Sequence, residues 1–185
     1  MLFRSDAAIA ATLDPQAADH LKAERAATLA RCGQLAEARA ALRGLRAQAQ
    51  RRRQAPLRAW VSLVDGLLAH FEALSPDALA HFTLARQGAT EAGNARLQAL
   101  AAAWQGAAFF NARRLPEMTE ALVAAWTGAP LRDDGGVRAR VQLVRADASR
   151  LAGLHAAAQR HYLADRKSTR LNSSHSQQSR MPSSA

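Results

Sequence analysis

The chain has one cysteine, Cys32, in 185 residues, which excludes an internal disulfide and any zinc site built from cysteines alone. A small apolar residue at a helix end is the role that remains for it. No apolar run approaches the roughly 18 residues that cross a bilayer, so no membrane segment is expected and the cytoplasm is the default location. Nothing alternates with a period of two, so strands are not expected. There is no glycine-rich phosphate cradle, no nucleophile elbow and no pair of acids at a plausible site, so neither enzymatic activity nor a cofactor is expected. His20, His70, His81, His155, His161 and His175 are scattered, with no His-x-x-x-His pair. Asp133-Asp134-Gly135 lacks the alternating oxygens and terminal Glu of a calcium loop. No metal site is expected.

The two ends stand apart from the rest. Residues 165–185, DRKSTRLNSSHSQQSRMPSSA, resemble a translated short-read sequencing adapter, and residues 1–5, MLFRS, resemble the same kind of sequence. The natural part is then Asp6 to Ala164, with the true protein expected to extend both ways and the tail expected to be disordered. The whole chain holds 25 basic and 15 acidic residues. The two ends hold five of the former and one of the latter, so 20 against 14 remain, a net charge of +6 instead of +10. Nearly all of that basicity is Arg on an Ala-rich background, the bias of GC-rich coding. It is weak evidence for nucleic acid, which is not the expected partner.

What is present is a repeat. Shifting the chain by forty residues aligns Gly33, Ala73, Arg113 and Gly153; then Ala38, Ala78, Met118 and Ala158; then Leu42, Phe82, Leu122 and Tyr162. Upstream, Ala26, Gly66, Gly106 and Ala146 stand in the same register. A fixed period of this length marks a stacked helical array.

Punctuation divides the array into helices. Asp14-Pro15 reads as an N-cap followed by Pro at the first helical position, opening a helix to about Arg31. Gly33-Gln34 breaks it, and Leu35 to about Arg53 follows with Ala38, Leu42 and Leu45 on one stripe. Pro56 opens a helix carrying Trp60, Leu63, Val64, Leu67 and Leu68, and Ser75-Pro76 repeats the cap signal for a partner ending near Gly93. Asn94 caps the next, with Leu97, Leu100, Ala101, Trp104, Ala108 and Phe109. Leu115-Pro116 starts another, with Met118, Leu122, Val123 and Trp126 inward, stopped by Gly128-Ala129-Pro130. Leu131 to Gly136 reads as a polar loop. Val137, Val141, Val144 and Ala148 mark a further helix, and Leu154 to Ala164 begins its partner.

These small-then-large rows resemble tetratricopeptide repeats over essentially all of Asp6 to Ala164. The resemblance implies an all-α fold in which antiparallel hairpins stack as a right-handed α-solenoid, with repeats at about 15–54, 55–93, 94–130 and a truncated 136–164. The family period is about 34 residues, so each hairpin here is longer by roughly one and a half helical turns. Gly or Ala at a crossing lets two helix axes approach closely, and a large side chain from the partner fills the space. The turn glycine is replaced by Ala73 and Arg113.

The resemblance places function in the groove lined by the first helix of each pair. By register the candidates are Trp60, His70, Phe71, Phe110, Asn111, Arg140, Asp147 and Arg150. Asn111 and Arg150 suit a carboxylate or a peptide backbone, and Trp60, Phe71 and Phe110 suit apolar anchoring. Arg51-Arg52-Arg53 reads as a helix C-terminus complementing its dipole. The function implied is a protein–protein interaction module, a regulatory or sensory segment of a larger bacterial-type protein. The alternative is the helical accessory region of a signalling enzyme such as a diguanylate cyclase, or of an ATPase-type transcription regulator. Stacking also implies that an array cut inside its last hairpin leaves apolar groups around Val141, Val144 and Leu154 poorly sealed.

Overall fold

A computed structural model describes residues 14–52, 54–128 and 135–164, and these residues are helical with no strands among them. The helices are α1 (Pro15–Arg31), α2 (Leu35–Arg52), α3 (Ala55–Phe71), α4 (Ser75–Glu91), α5 (Ala95–Asn111), α6 (Leu115–Thr127) and α7 (Gly135–Leu151); helical residues 155–164 form α8. The adapter-like ends, Arg53 and residues 129–134 lie outside the described residues, and the loop expected at 131–136 is corrected at its end, because Gly135 and Gly136 already belong to α7.

Helix starts fall at 15, 35, 55, 75, 95, 115, 135 and 155. The forty-residue period is thus two helical units of equal length, each a helix of up to five turns plus a short connection. The connections explain how the length is kept. Residue 33 donates its N–H to the Ala30 carbonyl and residue 34 donates to Leu29, the paired bonds of a Schellman cap. The same pair recurs at 73–74, 93–94, 113–114 and 153–154. Such a cap needs a left-handed residue, and φ is positive at Gly33 (79°), Gly93 (63°) and Gly153 (74°), but also at Ala73 (61°) and Arg113 (61°). Ala73 and Arg113 therefore do not break the turn pattern; they hold it in a conformation that disfavours a Cβ.

Start signals act as the sequence predicts in two helices. The Asp14 carboxylate accepts from the backbone of Gln16 at 2.9 Å and Ala17 at 3.3 Å, and Asn94 Oδ1 accepts from Leu97 N at 2.9 Å. Ser75 is a correction. Leu74 occupies the cap position without a side-chain bond, and Ser75 is already the first helical residue, followed by Pro76. A proline at either of the first two helical positions costs no hydrogen bond, so it does not locate the cap to the residue.

Each helix packs on its chain neighbours, α1 on α2 through to α6 on α7, and the odd-numbered helices also pack on one another in order: α1 on α3, α3 on α5, α5 on α7. Within α1 to α7 the even-numbered helices do not touch each other. The core runs between the two rows. Small residues sit where helices cross: Gly66 and Gly106 are buried, and Ala26 and Ala146 are wholly enclosed. A methyl group at Gly66 would lie 2.5 Å from Phe82 Cε1, and one at Gly106 would lie 2.7 Å from Leu122 Cδ2. The large residue sixteen positions on thus occupies the space that the missing side chain leaves.

A second repeated contact joins each even helix to the next odd one. Arg46 on α2 pairs with Asp65 on α3. Forty residues later Arg86 Nη1 donates to Gln105 Oε1 at 3.2 Å, and Gln105 in turn donates to Thr83 Oγ1 at 2.9 Å. Forty further, the Arg145 guanidinium lies 5.3 Å from the ring centre of Trp126. One register position therefore carries an ion pair, then a hydrogen bond, then a cation–π contact.

This corrects the expectation for α6. Trp126 is 41% exposed and Val123 is 48% exposed, because position 126 corresponds to Arg46 and Arg86 on the junction edge and position 123 to Thr83. The last hairpin is corrected in part as well. Val141 and Val144 are buried on α7, which packs on α5 and α6, whereas Leu154 is 59% exposed.

Candidate functional site

The odd helices end two residues before their left-handed turns, and these ends come together. A cleft of about 660 Å³ is lined by His70, Phe71, Ala73, Ser75, Phe110, Asn111, Arg113, Arg150 and Leu151. Nearly all of these fall at three register positions: 70, 110 and 150; 71, 111 and 151; 73 and 113. The backbone presents equivalent positions in three consecutive hairpins, while the side chains there differ in shape and charge.

Behind the cleft lies an aromatic cluster. Trp104, almost fully buried, has Phe71 edge-on at 5.7 Å and His70 edge-on at 5.5 Å, and Phe82 stacks on it at 6.4 Å. The Arg140 guanidinium lies over the indole, 3.6 Å from its centre, a close cation–π arrangement. His70 sits in this cluster, and its pKa is lowered to about 4, chiefly because burial penalises the charged ring and secondarily because Arg140 repels it. At neutral pH His70 is an uncharged imidazole.

Five of the sequence candidates, His70, Phe71, Phe110, Asn111 and Arg150, line the cleft. The other three do not. Trp60 is 5% exposed and belongs to the core. Arg140 supports the cluster from behind through Trp104, and Asp147 accepts a 2.6 Å hydrogen bond from the Tyr162 hydroxyl. Sequence reasoning missed Ala73, Ser75, Arg113 and Leu151. For those at repeated positions the signal was in the alignment: Ala73 and Arg113 stand where Gly33 and Gly153 stand, and Leu151 is forty residues past Asn111.

The charge around the cleft is one-sided. Among the described residues no acidic side chain lines it, and three acids close to it in sequence are engaged: Glu72 with Arg39, Glu117 with Arg114, Asp147 with Tyr162. Glu117, held by its own backbone N–H and by Arg114, has its pKa lowered. Arg150 also bonds the Tyr162 hydroxyl, and neither Arg113 nor Arg150 enters an ion pair among the described residues.

On the opposite row a smaller recess of about 350 Å³ lies between α6, α7 and α8, lined by Met118, Leu122, Val123, Arg145, Ala148 and His161 among others. His161 Nδ1 and Gln142 Oε1 are 2.8 Å apart, and burial followed by the charges of Arg145 and Arg160 lowers the His161 pKa. Among the described residues no three His, Cys, Asp or Glu side chains converge as metal ligands, and no helix is long and apolar enough to cross a membrane. Cys32 is exposed at the end of α1. Comparison with family models, with curated proteins and with solved structures finds no match.

Proposed function

We propose that this chain is a protein–protein interaction module of tetratricopeptide type, its hairpins stacked as a right-handed α-solenoid, with a segment of a partner protein lying in the cleft at the ends of α3, α5 and α7. Three features support the stacking: the two-row packing, the glycine crossings at 66 and 106, and the equal helical units. In a repeat array the backbone supplies a regular surface and the side chains at equivalent positions supply selectivity. The observation that carries the binding reading is that three successive hairpins contribute His70, Phe110 and Arg150, together with Phe71, Asn111 and Leu151, to one open cleft. Half-exposed Phe71 and Leu151 offer apolar anchors beside polar donors, the composition of a contact surface.

The test is selection of displayed random peptides on the purified chain, followed by fluorescence anisotropy with the enriched sequences. Phe71→Ala and Asn111→Ala are expected to weaken binding about fivefold or more, and Arg43→Ala, on the exposed side of α2, is expected to leave it unchanged. Enriched peptides indifferent to both cleft variants would remove the proposal.

A further inference from the structure

We propose that the recess between α6, α7 and α8 is a binding site for a small planar aromatic carboxylate of one or two rings, its ring against Met118, Leu122 and Ala148 and its carboxylate on Arg145. The site lies on the opposite row from the cleft and stands independently of the interaction-module reading.

The first argument is how the recess arises. Forty residues upstream the equivalent space lies between α4, α5 and α6, where Leu79 and Phe109 pack against the core and Phe82 is fully enclosed. Their counterparts are Thr119, Ser149 and Leu122, and all three line the recess. Each exchange removes apolar volume while the helix starts keep their register, so what is core in one hairpin becomes an opening of about 350 Å³ in the next. Met118, in the place of Ala78, returns part of that volume as a flexible thioether that adapts to what it touches. The surroundings change in the same direction. Val123 on the lining is exposed where Thr83 stands one repeat earlier, and Trp126 is exposed where Arg86 stands.

The second argument is charge. Among the described residues no acid lines the recess, and Arg145 does. Its guanidinium lies 5.3 Å from the Trp126 ring centre, and a guanidinium resting its face on an indole keeps its N–H edge for a carboxylate. The neighbouring Asp147 is taken by Tyr162. Ser149 offers a hydroxyl donor for the second carboxylate oxygen. His161 adds no further charge. Its Nδ1 faces Gln142 Oε1, which only accepts, so Nδ1 carries the proton, and burial followed by repulsion from Arg145 and Arg160 favours the neutral ring.

Size and lining select the ligand within the anions. Small-molecule sites run from roughly 300 to 1,000 Å³, so a recess at the lower end suits a compact ring system more than a long chain, whose tail would stay in water. A thioether and an imidazole both pack well on an aromatic ring.

The experiment titrates the isotopically labelled full chain with naphthoate, its neutral isostere naphthamide and the aliphatic acid octanoate, following backbone amide and indole signals by NMR. Shifts are expected at the residues lining the recess and at the Trp126 indole, with naphthoate binding about tenfold tighter than either analogue. Three variants restore the residue of the preceding hairpin. Thr119→Leu and Ser149→Phe refill the space and are each expected to abolish binding of both aromatic probes, whereas Arg145→Gln keeps the space and is expected to bring naphthoate down to the naphthamide level. Each restored side chain already occupies its register position in a folded hairpin, and if Ser149→Phe fails to fold, Thr119→Leu carries the same test. Equal binding of naphthoate and naphthamide overturns the carboxylate assignment, and octanoate binding as tightly as naphthoate overturns the aromatic one. Shifts confined to the cleft at the ends of α3, α5 and α7, or none at millimolar naphthoate, overturn the site. None of these outcomes bears on peptide display against the cleft, so the two readings fail separately.

Discussion

The ring of Phe82 lies against the backbone of Gly66 so closely that its Cε1 and Cδ1 atoms would meet an added methyl group at 2.5 and 2.6 Å. Neither side can give way easily, because Phe82 is fully enclosed and stacks on Trp104.

Gly66→Ala is therefore expected to destabilise the chain by about 1–3 kcal/mol through overpacking, despite the helical preference of alanine. Gly106→Ala, against Leu122, should cost less within the same range because leucine can change rotamer. Gly88 provides the control: its added methyl would meet Ala59 Cβ at 3.1 Å, a tight contact that offsets the roughly 0.5–1 kcal/mol by which alanine is favoured over glycine in a helix. Denaturant midpoints of the three variants should fall in the order Gly66→Ala lowest, Gly106→Ala next, Gly88→Ala near the parent. A parent-like midpoint for Gly66→Ala would contradict the close crossing.

The left-handed turns give the opposite sign. Ala73→Gly and Arg113→Gly relieve a conformation that costs an L-residue about 1–2 kcal/mol, less the entropy glycine loses on folding. Each is expected to raise stability by about 0.5–1 kcal/mol, while Gly33→Ala and Gly153→Ala lower it by a similar amount. Thermal unfolding reads this directly. A loss of stability in Arg113→Gly would mean that the arginine side chain supports the fold.

His70 makes stability depend on pH. Its folded pKa, about 4, lies below the ordinary value of 6.5, so between these values the unfolded chain binds the proton that the folded chain refuses. The contribution is fully present above pH 6.5 and is lost as pH falls toward 4. The loss is on the order of 1–2 kcal/mol once screening at the solvent-open edge of the ring is allowed for. His70→Phe, which keeps a ring among Phe71, Phe82 and Trp104, should flatten the stability profile in that window; an unchanged slope would assign it to other groups.

At the hairpin junctions the three chemistries should respond differently to salt. Double-mutant cycles on Arg46–Asp65, Arg86–Gln105 and Trp126–Arg145 are each expected to give a coupling of about 0.5–1 kcal/mol. Raising the salt concentration should weaken the Arg46–Asp65 coupling most, since that pair alone joins two full charges at a partly exposed edge. Zero coupling at all three sites would make the shared register incidental.

The forty-residue rhythm was readable because Gly66 and Gly106, with Phe82 and Leu122, repeat as side chains. The twenty-residue unit inside it was not. Odd and even helices bury different faces, so only the backbone repeats at that interval, and its turn residues are as unlike as Gly93 and Arg113. Trp126 misled for a related reason: a tryptophan four residues after Leu122 fits an apolar stripe, and only comparison with Arg46 and Arg86 places it on the junction edge. In the cleft the helix-borne residues His70, Phe71, Phe110, Asn111 and Arg150 were legible from register. Arg113 was not, because a charged side chain in a left-handed turn resembles a lost glycine until the backbone is seen.

Uniform helix spacing also limits how such a chain changes length. Removing one twenty-residue unit would move every later helix from one row to the other, presenting Gly66-type notches where Phe82-type bulk is required. Removing two would restore the alternation and shorten the molecule by a whole hairpin. Growth and loss along this chain are thereby quantised in pairs, as in a zipper whose teeth alternate in shape.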